Sequence, residues 1–154
     1  RKGHFEGVLD VMNKLTKIVK PKKIFMGEKD FQQLYLVKKE LGKKYKTKVI
    51  PCKTVRDRNN VALSSRNLLL NKSNLIIASK IYEKLVSIKK YIKNKKNIRT
   101  FLNLQKKELK NNYKIKIDYL ELRNIKNLKI SSTNKNSRLF IAYYLNNVRL
   151  IDNL

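Results

Sequence analysis

Residues 24–33 read Ile-Phe-Met-Gly-Glu-Lys-Asp-Phe-Gln-Gln, and this stretch decides the expected fold. Its first three residues are apolar and follow Pro21, so they predict a short strand, and the glycine at position 27 marks a turn. Apolar residues at helical spacing follow Asp30 and predict a helix. We therefore expect Lys29 and Asp30 at a helix N-terminus, where unpaired backbone N–H groups and the helix dipole favour a phosphate.

The same residues also allow a purely structural interpretation. Asp30 and Gln33 have the spacing of a capping box, with Asp in place of the usual Ser or Thr. On the local pattern alone the capping interpretation is favoured over a phosphate site. The phosphate-site and capping-box interpretations both stay open until a second motif is considered.

The segments around this stretch alternate between helix and strand. Residues 5–19 have apolar side chains at helical spacing, and residues 47–52 predict a second strand after a helix that Gly42 closes. Helix, strand, helix and strand with short links are typical of an open, mostly parallel α/β sheet. Ligands of such sheets lie at the carboxyl ends of the strands, and Gly27 stands at such an end.

A change in composition after Thr54 predicts a domain boundary. Residues 55–60 form a charged, turn-rich link, so we assign residues 1–54 to one domain and residues 55–154 to a second.

The second domain has its own pattern of two helices followed by strands. The apolar stripes of the helices run through residues 77–92 and 98–109, with Ser73 as the expected cap of the first helix. Alternation at residues 115–119 predicts a strand, and residues 139–151 predict a hairpin that turns at Asn146 and Asn147. This domain is therefore expected to be a small α+β unit.

The composition limits the function classes. The chain has 154 residues, 42% of them hydrophobic, which is enough for a core, and a net charge of +27 from 38 Lys and Arg residues. Most of these are Lys spread along the chain, without Arg clusters or interleaved aromatic residues, so we interpret the charge as a solvated surface. A basic nucleic-acid-binding module stays open as an alternative.

Cysteine usage and hydropathy point to a cytoplasmic protein. Cys52 is the single cysteine, so no internal disulfide is possible, and the sequence has no Cys/His cluster for a metal. The longest apolar run, residues 139–145, is far too short to span a bilayer. We therefore expect no membrane partner.

Four motifs together resemble the pantothenate synthetase (pantoate–β-alanine ligase) family. They are Arg-Lys-Gly-His-Phe-Glu-Gly-Val at residues 1–8, Gly-Glu-Lys-Asp-Phe-Gln-Gln at 27–33, Leu-Ser-Ser-Arg-Asn at 63–67 and Arg-Leu-Ile-Asp-Asn at 149–153. The resemblance runs in order over essentially the whole chain, with family-like spacing.

The resemblance implies a fold and a reaction. The fold is the end of a Rossmann-like, nucleotidylyltransferase-type parallel sheet domain, followed by a small α+β lid domain. The reaction joins pantoate to β-alanine: pantoate and ATP with Mg²⁺ give pantoyl adenylate and pyrophosphate, and the β-alanine amine then displaces AMP. The full-length family is expected to form homodimers.

The resemblance also gives roles to particular residues. It implies that Gly27, Glu28, Lys29, Asp30, Val55, Leu63, Ser64, Ser65 and Arg66 bind ATP and that Gln33 binds pantoate. Charge builds on phosphate oxygens during adenylation, so the two cations Lys29 and Arg66 are the candidate catalytic residues, without a protein-bound metal. This favours the phosphate role of the turn over the capping box.

The sequence also departs from the family pattern. Asn59-Asn60-Val61 stands where family members usually have Asp-Gly-Leu, and Asn60 is expected to tolerate the left-handed backbone conformation of the missing glycine. The family's histidine-containing nucleotide motif has no counterpart here, since His4 is the single histidine. We therefore expect this chain to be incomplete for activity. Another adenylate-forming enzyme of the same superfamily stays open as an alternative.

Overall fold

A computed structural model describes residues 3–154, which divide into two compact units. The first ends at Thr54 and the second begins at Val55. Each unit has its own apolar core, so each is described by itself.

The first unit is a two-stranded parallel sheet with two helices. Its elements in chain order are α1 (His4–Val19), β1 (Lys23–Gly27), α2 (Phe31–Lys44) and β2 (Lys48–Cys52). A 3₁₀ turn, Glu28–Asp30, connects β1 to α2. Gly27 pairs with Cys52, so both strands end at the same edge of the sheet. The predicted order of elements and the parallel pairing are confirmed.

The core of the first unit is small. Leu34, Val37 and Leu41 of α2 pack with Val49 of β2, and half-buried apolar residues of α1 and β1 surround them. Several large apolar side chains of the unit remain exposed: Val11, Leu15, Ile18 and Val19 of α1, and Phe25 of β1.

The prediction that Gly42 closes α2 is wrong. Helix α2 continues to Lys44, and the Tyr45 N–H donates to the Leu41 carbonyl at its end. A Cβ atom at position 42 would lie 3.4 Å from the Thr47 carbonyl oxygen. The glycine therefore lies inside the helix where the following loop passes close to it.

The second unit packs two helices with a three-stranded antiparallel sheet. Its elements are α3 (Lys72–Tyr91), α4 (Ile98–Tyr113), β3 (Lys116–Asn124), β4 (Ser137–Leu145) and β5 (Val148–Asn153), with strand order β3-β4-β5. The predicted stripes are confirmed as core, because Ile81, Leu85, Ile88 and Leu109 are almost fully buried. The α+β prediction is therefore confirmed.

Asparagine residues begin both helices of the second unit. The Asn71 side-chain oxygen accepts the Asn74 N–H at 2.9 Å, and Asn97 caps α4 in the same way. Ser73, the predicted cap of α3, lies inside the helix and donates its hydroxyl to Asn71. The prediction for Ser73 is wrong because the polar residue two positions earlier takes the cap.

Asparagine also provides the turn geometry that glycine often provides. Asn146 turns the β4–β5 hairpin with a φ of 51°, and Asn60 has a φ of 63°. The predicted hairpin turn and the left-handed conformation expected of Asn60 are confirmed. Among residues 3–154, no helix has the length and apolarity that crossing a membrane requires.

Candidate nucleotide site

Gly27 is the last residue of β1, at the carboxyl edge of the parallel sheet. Its φ of −67° is accessible to any residue, and a Cβ atom there would meet nothing within 4 Å. Neither backbone strain nor crowding by the described chain therefore requires glycine at this position. Open space beside a glycine backbone at a strand end suits the close approach of a ligand.

The 3₁₀ turn after Gly27 presents one cation between two acids. Glu28 and Lys29 are half-buried and Asp30 is exposed. Asp30 occupies the N-cap position of α2, but its side chain makes no capping hydrogen bond. The capping-box interpretation is therefore wrong for this turn. The 3₁₀ geometry gives Asp30 a ψ of 53°, outside the extended region usual for a capping residue.

Gln33 lies in the first turn of α2 and is half-buried. It is therefore on the helix that begins at the glycine turn, three residues after Asp30. A side-chain amide provides both a donor and an acceptor, which suits a substrate that carries hydroxyl and carboxylate groups.

In the second unit, residues 55–63 form a small hairpin. Arg56 and Ala62 pair across it, and the Leu63 N–H donates to the Val55 carbonyl at 3.0 Å. The predicted link is therefore an ordered part of this unit. Val55 and Leu63 are neighbours across the hairpin, and both side chains are more than half exposed. Together they form an apolar surface that suits the face of a flat ring.

The Ser-Ser-Arg motif follows the hairpin directly. Residues Ser65–Leu69 form a 3₁₀ turn, and the Ser64 hydroxyl oxygen accepts the Arg66 N–H at 3.3 Å. Ser65 is exposed, whereas Ser64 and Arg66 are half-buried. Within the described residues, the Arg66 guanidinium makes no hydrogen bond or ion pair, so its donors are available to an anion.

An ion pair that the sequence analysis did not identify lies behind this motif. Arg56 donates two hydrogen bonds to Asp152, at 2.7 and 2.8 Å. Its guanidinium carbon lies 4.2 Å from the centre of the Tyr82 ring. Burial acts to lower the pKa of Arg56, but the hydrogen bond and the charge of Asp152 together outweigh burial, so the pKa is raised. The pairing joins residues 96 positions apart, which no local pattern could reveal.

The described residues contain no group of three or more His, Cys, Asp or Glu side chains that could hold a metal ion. The predicted site residues lie in two sets. Gly27–Asp30 and Gln33 belong to the first unit, and Val55 and Leu63–Arg66 belong to the second.

Comparison with known proteins decides the family. The sequence model of the family described as Pantoate-beta-alanine ligase matches residues 1–154. The chain belongs to this family. It is 38% identical, over 158 aligned positions, to a pantothenate synthetase of Flavobacterium psychrophilum, covering all of this chain and 56% of the relative. It is 41% identical, over 155 positions, to that of Francisella tularensis subsp. mediasiatica, covering 99% of this chain and 51% of the relative.

Solved structures of the ligase family share the fold. Pantothenate synthetase from Thermus thermophilus matches with a TM-score of 0.89 and 30% identity, over all of this chain and 56% of that structure. A Francisella tularensis ligase, in complex with beta-gamma ATP and β-alanine, matches with a TM-score of 0.73 and 36% identity, over all of this chain and 51% of that structure. The fold is therefore of the nucleotidylyltransferase type. The chain spans about half the length of the relatives it matches.

Proposed function

We propose that this chain provides the ATP-binding and closing portions of a pantoate–β-alanine ligase. The observation that carries the proposal is the family match through residues 1–154, which includes both sets of candidate residues. The related Francisella ligase has been crystallised with an ATP compound and β-alanine, which supports these two substrates. Pantoate is the acid that the family description names.

The reaction proceeds in two steps. A carboxylate oxygen of pantoate attacks the α-phosphorus of ATP and pyrophosphate leaves, so that pantoyl adenylate forms. The amine of β-alanine then attacks the acyl carbon, AMP leaves, and the amine loses a proton as the amide of pantothenate forms. In the first step negative charge develops on the phosphate oxygens, so fixed cations and N–H donors must surround them.

In the first unit, Lys29 provides this charge stabilisation, and the open space beside Gly27 admits the nucleotide. The backbone N–H groups at the start of α2 add donors of the same kind. Glu28 and Asp30 are acceptors, so they suit the hydroxyl groups of the ribose and not the phosphates. Gln33, one helical turn further on, binds pantoate.

In the second unit, Arg66 provides the second cation. Its guanidinium makes no hydrogen bond or ion pair among the described residues and can bind phosphate oxygens with two parallel hydrogen bonds. Ser64 and Ser65 add hydroxyl and backbone donors. Val55 and Leu63, exposed side by side, contact the adenine ring.

Three further features belong to the same proposal. Mg²⁺ enters with ATP as part of the co-substrate. The complete protein is a homodimer. The enzyme works in the cytoplasm, where a single exposed thiol such as that of Cys52 stays reduced.

ATP–pyrophosphate exchange tests the substrate assignment. Labelled pyrophosphate enters ATP only when an adenylate forms reversibly, so β-alanine is omitted and the carboxylic acid is varied. In an intact enzyme that contains this chain, we expect exchange with pantoate and little with other small hydroxy acids. Faster exchange with a different acid would reassign the substrate, and absence of exchange with every acid would refute the adenylate proposal.

A further inference from the structure

The Arg56–Asp152 ion pair is largely buried. The two side chains are 15% and 9% exposed, whereas those of the Lys84–Glu108 pair in the same unit are 30% and 41% exposed. Arg56 uses both terminal nitrogens on the two carboxylate oxygens, and one of them also donates to the Asn60 carbonyl at 3.1 Å. This geometry fixes the guanidinium in one position and orientation.

The pair connects three elements of the second unit. Arg56 belongs to the hairpin of residues 55–63, Asp152 to β5, and Tyr82, whose ring lies under the guanidinium, to α3. The Ser79 hydroxyl of α3 also donates to the Asn59 carbonyl at 2.8 Å. The hairpin is therefore attached both to the sheet and to a helix of the unit's core.

Hydrogen bonds continue from the hairpin to the Ser-Ser-Arg turn. Ala62, which pairs with Arg56, accepts a hydrogen bond from the Asn67 side-chain amide at 3.1 Å. The Asn67 N–H in turn donates to the Ser64 carbonyl at 3.0 Å. The chain of contacts from Asp152 through Arg56 and Ala62 thus ends on the turn that contains Ser64 and Arg66.

A buried ion pair contributes little net stability, because removing two charges from water costs about as much as their attraction returns. Its more specific effect is to favour one arrangement of the elements that carry the charges. Asp152 has a second partner, since it also accepts the Asn153 N–H at 2.7 Å. The carboxylate is therefore held in position by its own strand as well as by Arg56.

We propose that Arg56 and Asp152 are positioning residues that hold the Leu63–Arg66 segment in its ATP-binding conformation. The proposal rests on the proposed function, because it takes that segment to be an ATP-binding one. Neither residue is proposed to touch the nucleotide. They act through the hairpin and through Asn67.

Hydrogen exchange of the 154-residue chain, followed by NMR, tests the positioning directly. In Arg56→Lys, which keeps the charge but loses the two-pronged geometry, the amides of Leu63, Asn67 and Leu70 should exchange roughly tenfold faster or more. Asp152→Asn should have the same effect. The core amides of α3 and α4 should keep their rates in the milder Arg56→Lys variant.

Glu108→Gln is the matched control, because it breaks the more exposed Lys84–Glu108 ion pair in the same unit. It should leave the turn amides unchanged. Turn amides that keep their rates in Arg56→Lys would overturn the proposal. An equal acceleration in the turn and in the core would overturn it as well, since the pair would then act on global stability alone.

An ATP titration of the same samples separates this proposal from the proposed function. We expect ATP to shift the amide signals of Ser64–Asn67 in the unmodified chain, and Arg56→Lys to raise the apparent Kd roughly threefold to thirtyfold. An unchanged Kd beside accelerated turn exchange would make the pair structural only and refute positioning. Absence of any response to ATP in an intact enzyme that contains this chain would contradict the proposed function, while the exchange data would still report on the turn.

Discussion

The two units differ in how completely their apolar surfaces are covered. The second encloses a continuous core formed by both helices and all three strands, and its largest buried residues include Ile81, Leu85 and Ile141. The first encloses four buried apolar residues and exposes five large apolar side chains on α1 and β1. Parallel sheets are normally covered on both faces, yet Phe25 of β1 is 67% exposed. The second unit therefore covers most of its apolar surface with its own elements, whereas the first leaves much of its apolar surface exposed.

The largest expected effect is in the core of the second unit. Leu85→Ala removes an almost fully buried side chain and should lower the free energy of unfolding of that unit by about 2–5 kcal/mol. Urea unfolding, followed by NMR signals assigned to each unit, measures this. Val86→Ala, at a 45% exposed position next to it, is the control and should have little effect. An equal loss of stability in the first unit would show that the two units unfold together. It would contradict the claim that the second unit is stabilised by its own core.

The exposed apolar side chains of α1 should bind a hydrophobic dye. We expect strong ANS fluorescence from the chain, reduced by Leu15→Lys and Ile18→Lys, because both side chains are half or more exposed. Ile76→Lys, at a comparably exposed position of α3, is the control and should leave the fluorescence nearly unchanged. Absence of dye binding by the unmodified chain would contradict the contrast between the units.

High pH should weaken the second unit selectively. Burial and the charge of Asp152 raise the pKa of Tyr143 well above its ordinary value. The unfolded chain then loses this proton first, so stability is fully present below about pH 10 and falls as the pH rises further. Tyr143 can contribute up to about 1.4 kcal/mol per pH unit. Burial also raises the pKa of Tyr119, which adds to the loss, whereas burial lowers the pKa of Lys89, which opposes it.

Urea unfolding between pH 9 and 11 measures this dependence. Tyr143→Phe keeps the ring and should flatten the pH profile of the second unit without lowering its stability at pH 7. A profile as steep as that of the unmodified chain would show that Tyr143 does not cause the loss.

The smallest effect concerns Gly42, inside α2. Gly42→Ala should stabilise the first unit by about 0.5–1 kcal/mol, because glycine in a helix interior is less favourable than alanine. The added Cβ would lie 3.4 Å from the Thr47 carbonyl oxygen, at the edge of ordinary contact. Gly7→Ala in α1, where a Cβ meets nothing within 4 Å, is the comparison. A loss of stability in Gly42→Ala alone would show that the loop cannot yield.

The sequence predicted the order and type of the elements because their apolar patterns are regular. The stripe through Ile81, Leu85 and Ile88 has the period of a helix, and two asparagines between apolar runs indicated the β4–β5 hairpin. Local signals were less reliable at helix ends. Asn71 takes the cap expected at Ser73, and Gly42 lies inside the helix it was expected to close. Several residues near each helix boundary could begin or end the helix, and tertiary contacts select one of them.

The candidate site could also be predicted only in part, because tertiary contacts hold some of its residues in place. Contiguous motifs such as Ser64-Ser65-Arg66 are visible in the sequence, and the structure leaves the Arg66 side chain without an ion pair among the described residues. The contacts that hold this turn come from Asp152, far away in the sequence, and from Asn67. Both residues lie in motifs that the sequence shows, at 149–153 and 63–67, but no local pattern reveals what their side chains contact.

We propose that Lys29 and Arg66 each stabilise the transition state of adenylation. Single-turnover formation of pantoyl adenylate, in an intact enzyme that contains this chain, tests it most directly. Lys29→Ala should cost about 3–4 kcal/mol of transition-state stabilisation, a rate loss of roughly 10²–10³, and Arg66→Ala should also slow the step substantially. Lys38→Ala and Arg58→Ala, at exposed positions outside the candidate site, are the matched controls. Rates within a few-fold of the unmodified enzyme in both Lys29→Ala and Arg66→Ala would contradict the claim.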